Sequence, residues 1–141
     1  MEFEIRPYVG VGPINFDMPR EDVRRVLGGP VFSFWKSAES EAPADAFDTL
    51  GIHVHYDSRD RCEAVEFRDP QNGPTFQGLV FVGQPYGEAE RLVRQLDKEV
   101  HPDPSGLTSF TYGFGLYAPA YGYEPNAEVK QVIVFRRGYY D

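Results

Sequence analysis

Cysteine is nearly absent from this chain of 141 residues. Cys62 stands alone, so no internal disulfide can staple the fold, and there is no second thiol to form a redox pair or a zinc ribbon. A reducing cytoplasm is the expected compartment. Positive charge is scarce as well: 14 Lys and Arg stand against 22 Asp and Glu, a formal net charge of -8. Such a surface repels a phosphate backbone, so neither nucleic acid nor an anionic membrane is an expected partner. No apolar run approaches the roughly 20 residues that cross a bilayer. The opening stretch from Met1 to Gly10 lacks the basic and then apolar regions of a secretory leader. The length is too short for two independent cores, and a single domain over residues 1–141 is expected.

What the chain has in excess is aromatic and turn-forming residues. Nine Tyr and eleven Phe occur with 14 Gly and 12 Pro, a composition that suits many short strands joined by turns. A repeat runs through it. Pro19 is followed by Val23, Val26 and Leu27, and Pro85 by Ala89, Leu92 and Val93, at offsets that place each trio on one helical face. An acid in the first turn recurs as Asp22 and Glu88, where it favours the positive end of the helix dipole, and an arginine recurs as Arg25 and Arg91. Proline suits the first helical position because its missing donor would be unpaired there anyway.

An apolar strand is expected before each proline, over Gly12 to Phe16 and Gly78 to Val82. The first helix stops at Gly28-Gly29-Pro30. Val31 to Lys36 reads as a strand, Ser37 to Asp45 as a loop, and Leu50 to Tyr56 with Cys62 to Phe67 as a hairpin. The second half offers Phe114 to Ala118 and Gln131 to Phe135 around a tyrosine-rich tip at Ala120 to Glu128. Leu50-Gly51-Ile52 aligns with Phe114-Gly115-Leu116, and Val65 and Phe67 with Ile133 and Phe135. These patterns predict two pseudo-repeat units, 1–70 and 71–141, each strand, helix and then strands. Neither unit can bury a face alone, so the expected fold is α+β. It has a mostly antiparallel sheet of about eight strands, with both helices on one face and the other face free.

The stretch Gly12-Pro-Ile-Asn-Phe-Asp-Met-Pro-Arg-Glu-Asp-Val-Arg-Arg-Val-Leu-Gly28, followed by a strand and the hairpin at Gly51-Ile-His-Val-His-Tyr-Asp57, resembles the repeat unit of the β-lactamase-inhibitory-protein fold. That unit also occurs singly in the small lipoprotein of the outer-membrane β-barrel assembly machine. The hairpin from Asp45 to Asp57 with Cys62 to Phe67 is similar to small bacterial proteins encoded beside contact-dependent toxins, the presumed immunity proteins. The resemblance covers most of the chain and implies a concave sheet face that grips a partner protein. The chain departs from the pattern in having no lipid-acceptor cysteine near its start and no paired cysteines, which favours an intracellular neutraliser.

Three groups of residues could carry chemistry. His53, His55 and Asp57 alternate, so on an extended segment they share a face and could serve as metal ligands, although ordinary polar decoration of a half-buried sheet is the favoured reading and needs no metal. By parity Cys62 shares its face with Ala64 and Glu66. Beside Glu63 and Glu66 its thiolate is disfavoured, which argues against a nucleophile. No phosphate loop, nucleophile elbow or zinc-helix motif is present. The tyrosines are the third group: Tyr117 should share the free face with the histidines, while Tyr121 and Tyr123 sit in a hairpin tip. Trp35, or instead Phe32 and Phe34, would join them, whereas Phe16, Phe67, Phe81 and Phe135 are expected in the core.

These readings lead to a protein that is not an enzyme, needs no cofactor and binds a cognate protein partner, such as a toxin domain. His53, His55, Asp57, Glu66, Tyr117, Tyr121 and Tyr123 form its binding patch, and Asp45, Asp57, Glu63 and Glu66 attract a basic surface. The alternatives are a metal or small-ligand binder using His53, His55 and Asp57, and a homo-oligomeric structural protein. Monomer and homodimer are both compatible with the chain.

Overall fold

The computed structural model describes residues 1–141. In the first half, β1 (Ile5–Arg6), β2 (Gly10–Val11) and β3 (Ile14–Asn15) make a small sheet and lead into α1 (Arg20–Leu27). Then follow β4 (Phe32–Phe34), β5 (Ala44–Phe47), β6 (Ile52–Tyr56) and β7 (Cys62–Phe67). In the second half, the hairpin β8 (Thr75–Phe76) and β9 (Leu79–Val80) precedes α2 (Tyr86–Leu96). After it come β10 (His101–Asp103), β11 (Gly106–Ser109), β12 (Phe114–Tyr117) and β13 (Gln131–Phe135).

The last four strands of each half join in one antiparallel sheet of eight, ordered β10-β11-β12-β13-β7-β6-β5-β4. β7 and β13 meet at its centre, with Val65 opposite Val134 and Phe67 opposite Val132. Each half thus supplies a hairpin, a helix and a four-strand meander, and the α+β architecture expected from the sequence is the one that forms. Even the approach to the helices matches. The turns before them use positive φ at Gly12 (56°) and Asp17 (71°) in one half and at Gly78 (80°) and Gly83 (84°) in the other. Pro19 and Pro85 cap the helices from just outside, their carbonyls accepting from Val23 and Ala89 at 3.1 Å each.

Val23 and Leu27 of α1 and Tyr86, Ala89 and Val93 of α2 pack into one core of 26 buried residues. That core includes Ile52, Val54, Val65, Phe67, Phe114, Leu116, Val132 and Val134 from alternate strand positions. Both helices therefore cover the same face.

Several expectations need correction. Gly12 to Phe16 is no continuous strand, because Gly12 and Pro13 turn the chain between β2 and β3. Gly78 to Val82 yields only the two residues of β9. The expected loop over Ser37 to Asp45 ends early, since Ala44 and Asp45 already belong to β5, whose four residues are all buried. The stretch His101-Pro-Asp forms β10 despite its proline, and β10 and β11 complete the second meander.

The proposed alignment of the halves is also shifted by one. Val132 and Val134, not Ile133 and Phe135, face the helices. Gly51 is a turn residue at φ 68°, whereas Gly115 lies within β12. A one-residue slip of this kind exchanges the two faces of a strand.

Candidate functional site

The face of the sheet away from the helices is set by register. Phe32 lies opposite Ala46 and Phe34 opposite Ala44, His53 opposite Glu66 and His55 opposite Ala64, and Ile133 opposite Gly115. Tyr117 follows two residues after Gly115 and has Gln131 and Gly106 as partners. On this face Ala44, Ala46, Ala64 and Gly115 leave room between the larger His53, His55, Glu66 and Ile133, and Phe32 and Phe34 stand at the β4 edge.

At its centre a histidine and a glutamate bind each other. His55 Nε2 and Glu66 Oε1 are 2.6 Å apart, and both residues are buried. Lys36 Nζ approaches Glu66 at 3.6 Å and Arg68 Nη2 at 3.5 Å. Burial by itself would raise the Glu66 carboxyl, but the hydrogen bond and charge of His55, helped by Lys36 and Arg68, bring it down to about 2. Beside it His53 packs on the Phe34 ring with centroids 4.9 Å apart, and its loss of solvent lowers its pKa below 6.5.

The face is not free, as had been expected. Phe135 is buried, but on this side and outside the helix-facing core. Tyr139 stacks on it at 6.0 Å and Tyr140 meets its edge at 4.9 Å. Phe110 and Tyr8 close the cluster at 5.9 and 6.1 Å. Residues 136–141 thus fold back over part of the sheet. To one side of them opens a polar recess of about 810 Å³, lined among others by Lys36, His55, Arg136 and Tyr139. To the other lies a smaller one of about 220 Å³, lined by Glu66, Tyr117, Ile133 and Tyr140.

All four acids assigned to partner attraction are spoken for within the fold. Asp45 is fully buried on the helix side. Arg24 donates to it from Nε at 2.8 Å and from Nη2 at 2.7 Å, Arg20 Nη1 donates at 2.8 Å, and the Tyr56 hydroxyl at 3.0 Å. Burial opposes ionisation of Asp45, yet the two guanidinium groups outweigh it and hold the carboxyl below the usual range. Asp57 accepts from the amides of Arg59 and Arg61 and so shapes the β6–β7 turn. Arg136 joins the turn to the sheet, reaching Asp57 at 3.0 Å, Glu63 at 3.3 Å and Asp17 at 2.6 Å. With Glu66 held by His55, the charge available to a partner on this side is carried by exposed acids around it, Glu39, Glu41 and Asp103.

The named candidates therefore separate into two groups. His53, His55, Glu66 and Tyr117 come together on the helix-free face, with Tyr117 42% exposed. Asp57 belongs to the turn. Tyr121 leaves the patch because its ring packs on Tyr86 of α2 at 4.6 Å, and Tyr123, 79% exposed, stands in the same loop. His53, His55 and Asp57 do not converge, and no group of three or more His, Cys, Asp or Glu is placed to hold a metal ion.

Cys62 is on the opposite side from that expected. A bulge where His55 pairs with Ala64 and Tyr56 with Cys62 leaves Glu63 as an extra residue, turning the thiol into the core and pushing its pKa up to about 12 through burial. The residues that sequence parity missed are Lys36, Arg68, Tyr139 and Tyr140. The clustering of two cations and two tyrosines around one glutamate depends on chain ends and loops meeting across the sheet, which no periodicity reports.

Fold and face together define a duplicated-meander α+β protein with a partly covered sheet surface. No helix is long and apolar enough to cross a membrane. Comparison of the chain with protein-family models, curated proteins and solved structures finds no match.

Proposed function

We propose that this chain is a non-enzymatic protein-binding module, and that the helix-free sheet face seats a toxin domain which the chain neutralises as an immunity protein in the cytoplasm. The observation that carries the reading is the set of large aromatics left in solvent on or beside that face: Phe32 at 53%, Tyr117 at 42% and Trp35 at 62% exposure. Exposed aromatics grouped on one surface are the usual anchors of a protein interface, since each brings large apolar area and loses little side-chain entropy. The acids Glu39, Glu41 and Asp103 around the face, and the net charge of -8, suit a basic partner. The sequence resemblance to inhibitory and immunity proteins points the same way.

The experiment is co-expression with the product of the neighbouring gene. A stable complex and loss of that product's toxicity are expected, with Tyr117→Arg and His53→Arg each weakening the complex by about tenfold or more. A non-toxic neighbour that forms no complex, or a complex indifferent to both substitutions, overturns the reading.

A further inference from the structure

The two edges of the eight-stranded sheet differ. β10 reads His101-Pro102-Asp103 and is followed by Pro104, so it lacks a donor in mid-strand and carries charge, two devices that keep another strand from adding on. β4, at the other edge, reads Phe32-Ser33-Phe34 and runs into Trp35 with neither proline nor charge. Phe32, Ser33 and Trp35 are exposed, and outside its ladder with β5 the backbone of residues 31–35 makes no hydrogen bond. The outward row of N–H and C=O groups is open.

β4 is also a palindrome about Ser33. An antiparallel second copy centred there sets Ser33 against Ser33 and each Phe32 against a Phe34, giving two aromatic cross-strand pairs on the helix-free face. Electrostatics on the opposite side permit the approach. Arg24, whose Nη2 donates to Ser33 Oγ at 3.1 Å, and Arg20 are matched by Asp45 and Asp60, so fixed charge cancels beside this edge in a chain that is otherwise strongly acidic. We infer that β4 is a self-association edge, where two copies of the chain pair antiparallel about Ser33 and extend one sheet across both molecules. Because the same strand serves both copies and β10 is protected, association closes at two. The inference is independent of any toxin partner.

The test uses the full chain alone. Sedimentation from about 1 μM to about 500 μM should show the mass rising from 16.0 kDa toward twice that value, with Phe32→Lys shifting the association at least roughly tenfold to higher concentration. Ser33→Cys should form an interchain disulfide on mild oxidation, because directly opposed residues hold their Cβ atoms within about 4.5–5.5 Å. Cys62 is buried and cannot substitute, and Ser58→Cys on the exposed β6–β7 turn serves as the control. Monomer at every concentration, a dimer unaffected by Phe32→Lys, or Ser33→Cys cross-linking no faster than Ser58→Cys would each overturn the inference.

Discussion

Asp45 shows how a charge can be read correctly as an acid and wrongly as a surface. Its carboxylate has no contact with solvent, and both oxygens are bound by Arg20 and Arg24. Removing the charge leaves two guanidinium groups facing a neutral amide at the junction of α1 and β5. Asp45→Asn is expected to cost about 3–5 kcal/mol in urea unfolding, the range for breaking a buried ion pair from one side. Glu66 invites a different measurement. Its carboxyl is about 2 when folded and near 4.5 when unfolded, so the stability it contributes is complete above pH 4.5 and is lost as pH falls toward 2. His53 acts earlier. Its folded pKa is depressed, so the unfolded chain takes up its proton first and stability begins to fall just below pH 6.5. Glu66→Gln should flatten the denaturation midpoint between pH 4.5 and 2, and His53→Gln should flatten the portion just below 6.5. A variant profile that parallels the parent removes the assignment. None of these pairings was legible in the sequence, because Asp45 and Arg20 are 25 residues apart and meet only through the fold.

Secondary structure was more legible where periodicity is strong. Both helices, β6, β7 and β13 follow from apolar spacing and turn residues, while β10 and β11 hide behind His101-Pro-Asp-Pro104, and β5 behind an acid that looks like loop. The bulge at Glu63 defeats parity itself, since one unpaired residue moves Cys62 from one face to the other. Its consequence can be measured: native Cys62 should react with a thiol reagent only at the rate of unfolding, and at once in denaturant. The paired turns offer a sharper comparison. Gly12 and Gly78 occupy the same place before their helices, both at positive φ. A Cβ on Gly12 would lie 2.8 Å from the Glu2 carbonyl oxygen and from the Phe3 ring, whereas one on Gly78 meets nothing within 4 Å. Gly78→Ala should cost about 1–2 kcal/mol, the strain of a left-handed residue, and Gly12→Ala distinctly more. Equal losses in parallel thermal melts would show that the β1–β3 sheet yields to the added carbon.

On the proposed function, a molecule of net charge -8 with one partly covered aromatic face would meet its partner by two separable effects. Long-range attraction sets how often a basic domain arrives, and contact with Phe32, Trp35 and Tyr117 sets how long it stays. Raising salt from about 50 to 500 mM shortens the Debye length from roughly 14 Å to 4 Å, so the association rate with the proposed partner should fall steeply while dissociation changes little. Tyr117→Arg should do the reverse, with its principal effect on dissociation. Trp35, the single tryptophan, is 62% exposed beside β4 and reports on both kinds of contact. At concentrations well below those of self-association its emission should shift to the blue only when the partner is added. A blue shift without partner that grows with the chain's own concentration belongs instead to pairing at β4, and Phe32→Lys should remove it. If saturating partner leaves the emission unchanged while binding is seen by mass, the partner lies nearer Tyr117 and β12 than β4, and salt dependence should then follow Asp103 rather than Glu39 and Glu41.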